Sequence, residues 1–178
     1  PEPVIKGRRY RLRPPFEGAD EIESLLSQGV DHLHTCDSEF NLPYGHAADV
    51  CRELIGRGLS DRIRWYTYLS PVPFDENLAR LMVEAGCAGI DFGVDSGCDE
   101  VLKLLGRDFR KDDLVRTASI CREQRIPFMF DLLLGGPGET EATLTETVNL
   151  MKELSPDRVG INAGIRLYPD LKVNDIVL

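Results

Sequence analysis

Strand-like and helix-like runs alternate along almost the whole of this 178-residue chain. Short apolar runs bounded by turn residues are typical of buried strands, whereas apolar residues spaced three and four apart indicate helices. Strands that alternate with helices form a parallel sheet, because each helix returns the chain to the starting edge. The pattern predicts strands at 30–36, 63–69, 89–94, 128–134 and 159–166, and helices at about 19–28, 46–57, 76–85, 99–105, 112–124 and 141–154.

The predicted strand at 128–134 runs into a loop with the sequence GGPGET at 135–140, which precedes a predicted helix. Glycine lacks a Cβ, so the backbone can approach a ligand closely, and the proline fixes the turn. Thr140 is a suitable N-cap for the helix. The lysine and the longer spacing of a phosphate-binding P-loop are absent, so the loop indicates a different kind of ligand contact.

Side-chain alternation along the predicted strands separates an apolar face from a polar one. The apolar face packs on helices and consists of Ile90, Phe92, Val94, Phe128, Phe130, Leu132, Leu134, Val159, Ile161, Ala163 and Ile165. The opposite face consists of Asp91, Gly93, Asp95, Met129, Asp131, Leu133, Gly160, Asn162, Gly164 and Arg166. Branched apolar side chains fill a closed eight-stranded barrel. The polar face predicts a wide, open barrel that holds a ligand, although a water-filled or edge-exposed face fits the same pattern.

Length and composition narrow the classes of function. The chain suits a single domain but is short for a closed (β/α)8 barrel of about 250 residues. With 21 basic and 30 acidic residues the net charge is −9, which argues against a nucleic-acid-binding surface spread over the domain. No apolar run is long enough to span a membrane and no signal peptide is recognisable. The five cysteines are scattered and form no CxxC pair, which is typical of a cytoplasmic protein without disulfides or a zinc site.

Five short motifs follow one another where strands end and helices begin. They are CDSEFN at 36–41, AGC at 85–87, FGVDSG at 92–97, LLGR at 104–107 and LGGPGET at 134–140. In this order the motifs resemble the radical S-adenosylmethionine superfamily, from about residue 11 to residue 169. The most similar subset is its cobalamin-associated and methylthiotransferase-like Fe–S oxidoreductases. The resemblance implies a partial (β/α)6 TIM-like barrel with parallel strands, with S-adenosylmethionine across the strand ends.

The chain differs from that family in one respect. Members hold a [4Fe–4S] cluster with three cysteines in a CxxxCxxC loop after the first strand, and the present sequence contains no such triplet. We therefore expect the chain to correspond to strands two to six, with the first strand missing. Because iron–sulfur clusters are held by thiolates, we expect no metal site in this chain and no cluster binding by the chain alone.

The resemblance implies roles for residues at two strand ends. Asp37, Ser38 and Glu39 match the segment that binds the amino group of the methionyl moiety, since an ammonium needs acceptors. The alternative is a turn or N-cap for the next helix. Asp95 and Ser96 match the position that meets the ribose hydroxyls or the methionyl carboxylate, and the alternative is a cap for the helix near 99.

The remaining candidates lie on the last two predicted strands and on the polar face. Leu133, Gly135 and Gly136 match the segment against which adenine packs. Arg166 is predicted to point into the lumen and to pair with a carboxylate of cofactor or substrate, or with a structural partner. The substrate-side candidates are Asp131, Asp91, Asn162 and Tyr66.

Two further groups of residues each allow a binding and a structural interpretation. His32, His34 and Cys36 share one strand face at a spacing that metals accept, but we expect this face to lie under helices rather than to bind zinc. The basic residues of segment 1–15 form a solvated connector, with binding of an anionic group as the alternative. The predicted division is a connector at 1–15, a barrel at 16–170 and a tail at 171–178.

The resemblance implies that the parent enzyme cleaves S-adenosylmethionine reductively to a 5′-deoxyadenosyl radical. That radical serves hydrogen abstraction, or methyl or sulfur transfer, in the cavity that the barrel provides. The implied cofactors are S-adenosylmethionine, a [4Fe–4S] cluster and, in the cobalamin-associated subset, cobalamin. The implied partner is an electron donor such as flavodoxin or ferredoxin. The alternatives are a non-redox barrel that binds a nucleotide-like or anionic ligand, and a non-catalytic scaffold domain.

Overall fold

A computed structural model describes residues 10–165 of the chain. Its strands form one parallel sheet in the order β1-β2-β3-β4-β5. The elements are α1 Pro15–Ser27, β1 His32–His34, α2 Tyr44–Gly56, β2 Arg64–Leu69, α3 Glu76–Glu84, β3 Cys87–Asp95, α4 Asp99–Leu104, α5 Lys111–Glu123, β4 Phe128–Leu134, α6 Glu141–Leu154 and β5 Arg158–Ala163. The predicted α/β fold, a partial barrel of parallel strands, is confirmed.

The helices cover one face of the sheet, where the aromatic side chains form a continuous row. The ring of Phe92 on β3 lies 5.2 Å from the ring of Phe74 and 6.0 Å from that of Phe130 on β4. Phe128 extends the row at 5.2 Å from Phe130. Each large aromatic side chain removes about 150–250 Å² from water on burial. These residues therefore hold β3 and β4 against the helices and leave the other face uncovered.

The helix starts follow from their capping residues. The carboxylate of Asp75 accepts a hydrogen bond from the backbone N–H of Leu78 at 2.9 Å and caps α3. The hydroxyl of Thr140 accepts one from the N–H of Thr143 at 3.3 Å, which confirms the predicted cap of α6. Each cap satisfies a backbone donor that the first helical turn leaves unpaired. Among residues 10–165, no helix combines the length and apolar character needed to cross a membrane.

The first strand is shorter than predicted, and three residues that share one of its predicted faces do not lie where they were expected. The backbone N–H of Val30 donates to Leu25 O at 3.0 Å, and Gly29 has φ 85°. Both features keep the chain in the C-terminal turn of α1, so β1 begins only at His32. The prediction that His32, His34 and Cys36 lie under helices is wrong. All three are exposed, and the two histidines, whose register partners are Arg64 and Tyr66, point to the uncovered face.

The last strand also differs from the prediction. Val159 and Ile161 were expected to pack on helices, but they are 40% and 62% exposed. The apolar residues of α6 instead pack into the core, with Leu150 and Leu154 buried. Among the described residues no helix follows β5, so the outer face of this strand has no cover from that part of the chain.

A buried asparagine joins the loops that follow β1 and β2. Asn41 has no exposed surface. Its Nδ2 donates to Ser70 O at 2.9 Å and to Pro73 O at 2.7 Å, and its Oδ1 accepts from the N–H of Ser70 at 3.0 Å. Buried backbone groups without a partner are costly. This side chain therefore fixes the two loops relative to each other at the carboxyl ends of the strands.

We expect Asn41→Ala to lower the free energy of unfolding by about 2 to 3 kcal/mol, because it leaves backbone groups of Ser70 and Pro73 without partners. Asn149→Ala is the matched control, since Asn149 is exposed on α6 and alanine is a better helix former. Urea denaturation of both variants measures the difference. Equal stability of the two variants would contradict the role given to Asn41.

Candidate functional site

The uncovered face of the sheet brings together the predicted substrate-side residues. In the strand register Tyr66 lies beside Gly89, Tyr68 beside Asp91, Gly93 beside Asp131 and Leu133 beside Asn162. Residues that are register partners on parallel strands point to the same face. All four substrate-side candidates therefore line one surface, which we call the lumen face. It carries Tyr66 and Tyr68 on β2, Asp91 on β3, Asp131 on β4, and Arg158, Gly160 and Asn162 on β5.

The loop after β1 carries the first group of predicted cofactor ligands. Phe40 anchors it, because its ring is buried 5.3 Å from the ring of Trp65 and its N–H donates to Tyr68 O at 2.8 Å. Just before this anchor, Asp37 and Ser38 are exposed and Glu39 is half-buried. The three residues therefore lie at the carboxyl end of the sheet, and their contact with a cofactor remains a prediction.

An ion pair holds the carboxylate at the end of β3. Asp95 adopts φ 60°, a left-handed conformation that a residue other than glycine seldom adopts. Its Oδ2 accepts from Arg107 Nε at 2.5 Å and lies 2.5 Å from the second guanidinium nitrogen. The guanidinium in turn lies 5.9 Å from the Phe109 ring. Arg107 was not among the predicted site residues, although the LLGR motif contains it.

Ser96, the other candidate at this strand end, faces the protein interior. It is 1% exposed. Its hydroxyl lies 3.1 Å from the hydroxyl of Thr147 and accepts from the N–H of Cys98 at 3.1 Å. Thr147 also accepts from the N–H of Gly97 at 3.0 Å. These contacts join the loop after β3 to α6, and a cofactor contact through Ser96 remains a prediction that they do not support.

The glycine loop after β4 is tied to its own helix start and to α4. The N–H of Gly135 donates to Glu139 Oε2 at 2.5 Å. A Cβ on Gly138, which has φ 75°, would overlap the side chain of Leu104. Gly135 is exposed and Gly136 is half-buried. The loop therefore presents its backbone at the strand ends, as expected of a segment against which a flat ring packs.

Two carboxyl groups meet on the lumen face. Asp91 Oδ1 is buried and has no hydrogen-bond partner among residues 10–165. Burial, the charge of Asp131 and a side-chain hydrogen bond with Asp131 raise the pKa of Asp91 to about 7. Gly160 on β5 makes room for this arrangement, because a Cβ there would overlap Asp131 Oδ1. The two carboxyl groups therefore oppose each other's ionisation, and the pair keeps a proton to a higher pH than an isolated aspartate would.

The described residues do not contain every predicted ligand. Arg166 and the tail at 171–178 lie outside residues 10–165. Within that range no group of three or more His, Cys, Asp or Glu side chains could hold a metal ion. All five cysteines are free thiols, and burial raises the pKa of Cys51 and of Cys87 to about 12. Those two thiols are therefore unreactive core residues rather than metal ligands.

A groove of about 580 Å³ lies beside β1, between α1 and α2. Leu33, Phe40 and Trp65 line it, and Phe40 and Trp65 belong to the buried core. The groove also includes His34, Asp37 and Glu39 in its lining, so it extends to the loop after β1 that carries the first group of predicted cofactor ligands. Asp91 and Asp131 do not line it.

Residues 3–151 match the radical SAM superfamily. The chain is 36% identical, over 94% of its length, to a tryptophan 2-C-methyltransferase from Streptomyces laurentii and covers 30% of that protein. It is 28% identical, over 84% of its length, to an anaerobic magnesium-protoporphyrin IX monomethyl ester cyclase from Cereibacter sphaeroides and covers 25% of that protein. The chain thus spans less than a third of the length of these relatives.

Solved structures also show similarity to radical S-adenosylmethionine enzymes. The radical S-adenosylmethionine methyltransferase TsrM from Kitasatospora setae, with cobalamin and a [4Fe–4S] cluster bound, matches with a TM-score of 0.81 and 35% identity. The match covers 92% of this chain and 30% of that one. The cobalamin-dependent S-adenosylmethionine radical enzyme OxsB matches with a TM-score of 0.70 at 17% identity, which supports the fold alone.

We expect Asp91 to make the stability of the protein fall as the pH rises. The folded pKa of about 7 exceeds the ordinary value of 3.8, so between these values the folded state holds more protons than the unfolded state, and stability decreases with pH. Asp91→Asn cannot titrate. Relative to wild type, it should gain stability as the pH rises from about 4 to about 7, and the difference should level off above the folded pKa, as measured by urea denaturation. A constant difference, as we expect for the exposed control Asp61→Asn, would contradict the shifted pKa.

We expect Glu139→Ala to loosen the glycine loop. Loss of the charge-assisted hydrogen bond to the N–H of Gly135, worth about 1.5 to 3 kcal/mol, should accelerate amide exchange there by roughly tenfold or more. Glu139→Gln keeps an acceptor oxygen and should retain most of the protection. Hydrogen exchange read by NMR or mass spectrometry distinguishes the two variants. Unchanged protection in Glu139→Ala would show that other contacts order the loop.

Proposed function

The chain belongs to the radical S-adenosylmethionine superfamily, and from this we propose that it is the barrel of a cobalamin-associated radical SAM methyltransferase. The observation that carries the proposal is the match in sequence and fold to such a methyltransferase over 92% of the chain. Because the chain spans only 30% of that protein, the activity belongs to the proposal and is assigned to a longer parent enzyme. The lumen face would then hold the cofactor and the methyl acceptor.

The residues at the strand ends fit S-adenosylmethionine. Its ammonium needs acceptors, and Asp37 and Glu39 lie together in the loop after β1. A ribose hydroxyl can donate to Asp95, whose orientation Arg107 fixes. Adenine can pack against Leu133 and the exposed backbone at Gly135. When bound, S-adenosylmethionine supplies a methyl group or a 5′-deoxyadenosyl radical, and these residues hold and orient it.

The described residues do not fit the [4Fe–4S] cluster. No group of side chains within 10–165 could hold a metal, and the sequence contains no CxxxCxxC triplet. In this proposal other segments of the parent enzyme supply the cluster ligands and the cobalamin site. The proposal includes an electron donor such as flavodoxin or ferredoxin and a location in the cytoplasm. The free thiols of this chain support the location, because cysteines stay reduced there.

Anaerobic iron–sulfide reconstitution tests the proposed function. The full-length product of the gene that encodes this chain, and the 178-residue chain itself, are compared by absorbance and electron paramagnetic resonance. We expect a [4Fe–4S] signal that responds to S-adenosylmethionine in the full-length protein and no cluster in the chain alone. If neither protein binds a cluster, the similarity extends to the fold only. The proposed function is then replaced by that of a non-redox barrel that binds a nucleotide-like ligand.

We expect Arg107→Met to weaken S-adenosylmethionine binding by roughly tenfold, because Asp95 loses the charged donor that orients it, a change of about 1.4 kcal/mol. Arg116→Met is the matched control, since Arg116 pairs with Asp113 on exposed helix surface. Calorimetric titration of the reconstituted full-length variants measures both affinities. Equal affinities would remove Asp95 and Arg107 from the cofactor site.

A further inference from the structure

We propose that Asp91 and Asp131, together with Tyr68, form a substrate subsite on the lumen face that binds the protonated amine of a planar aromatic substrate. This inference rests on the proposed function, since it names the acceptor whose methylation the barrel would support. It assigns the amine to the carboxyl pair and the ring to the tyrosine.

The position of the carboxyl pair is the first argument. Asp91 lies mid-strand on β3 and Asp131 mid-strand on β4, deeper in the barrel than Asp95 and the glycine loop at the strand ends. Two groups at different depths correspond to two ligands, with the cofactor at the strand ends and the substrate below it. Polar groups that converge in a concave site are typical of substrate recognition.

The electrostatics of the pair give the second argument. Within residues 10–165 neither carboxylate forms an ion pair. The nearest cation by register, Arg158 on the same face of β5, donates to Asp157 O instead, and Asp95 is bound to Arg107. From β2 the group facing the pair is Tyr68, and from β5 it is Gly160. An acidic pair without a described counter-cation fits a cationic ligand.

The neighbouring aromatic wall gives the third argument. Tyr66 and Tyr68 are 42% and 41% exposed on the lumen face. Tyr68 is the register partner of Asp91, and its ring lies 4.8 Å from that of His34. Adjacent strands lie about 4.8 Å apart, so a planar group stacked on Tyr68 brings an attached amine to Asp91. Aromatic faces also attract cations.

The absence of a side chain at two glycines affects the space around the carboxyl pair. Gly160 leaves the space that Asp131 Oδ1 occupies, while a Cβ on Gly93, between Asp91 and Asp95, would meet no atom within 4 Å. The first glycine lets the carboxyl groups meet, and the second keeps the space above them open. The carboxyl pair is therefore accessible from the lumen side although Asp91 Oδ1 itself is buried.

The pH dependence of amine affinity distinguishes a binding role of the carboxyl pair from a purely structural one. Because the pKa of Asp91 is about 7, a cationic amine should bind best once the shared proton has left. The deprotonated fraction rises from about a tenth at pH 6 to about nine tenths at pH 8. Apparent affinity for the amine should therefore rise by roughly tenfold over this range, with release of a proton on binding.

The test uses tryptamine as the cationic probe and indole-3-propionate as a ring of the same kind without an amine. Calorimetric titration of the full-length protein at pH 6 and pH 8 should show the tenfold rise for tryptamine and no binding of indole-3-propionate. Asp91→Asn and Asp131→Asn should abolish the pH dependence, while Asp61→Asn, exposed in the turn before β2, should retain it. Gly160→Ala should act like Asp131→Asn by displacing that carboxylate.

Three results would overturn the proposal: no tryptamine binding, pH-independent binding, or equal binding of indole-3-propionate. Asn at position 91 mimics the protonated acid, so this variant should fold, and circular dichroism checks it. The probes need neither cluster nor turnover. Tryptamine binding in a protein without an S-adenosylmethionine-responsive cluster would support the subsite and refute the proposed function. A responsive cluster in a protein that does not bind tryptamine would support the proposed function and refute the subsite.

Discussion

The burial of one face of the parallel sheet determines where everything else in this chain can lie. Phe92 and Phe130 are fully buried, with Phe74 and Phe128 against them, so the helices are fixed to that side. Alternating residues of the same strands must then point to the uncovered side. Asp91 on β3 and Asp131 on β4 occupy that side. The packing of apolar residues on one face therefore places the two carboxyl groups on the other.

The strand-end loops depend on this arrangement but are held by polar contacts rather than by apolar packing. Asn41 joins the loops after β1 and β2, Thr147 joins the loop after β3 to α6, and Glu139 closes the glycine loop. Such contacts fix loops at defined positions without filling the lumen with side chains. The rim of the candidate site is therefore held by polar contacts, and its centre is left open.

Much of the fold could be predicted from the sequence, because apolar periodicity reports directly which residues are buried. The alternation around Asp91 and the cap at Thr140 both needed only local patterns. The placement of His34 failed because alternation shows which residues share a face but not which face the helices cover. Leu33, between the two histidines, is the residue that packs against the core. The prediction that helices pack on Ile161 is wrong, because the packing of a strand depends on neighbours that are distant in the sequence.

The site was less predictable for the same physical reason. The Asp95–Arg107 pair and the contact between Ser96 and Thr147 join segments 12 and 51 residues apart, and no local pattern encodes them. The Asp91–Asp131 pair depends on the register of β3 against β4, including its irregularity between Gly93 and Asp95. Alternation predicted the face of each carboxylate, whereas only the assembled sheet shows that they meet.

We propose that the strand ends and the lumen face form the cofactor-binding surface. Hydrogen–deuterium exchange of the reconstituted full-length protein, measured with and without S-adenosylmethionine, tests this proposal. We expect protection of the loops at 36–41, 95–97 and 135–139, with little change in the outer helix α6. Protection confined to other segments, or no protection in these loops despite bound S-adenosylmethionine, would contradict it.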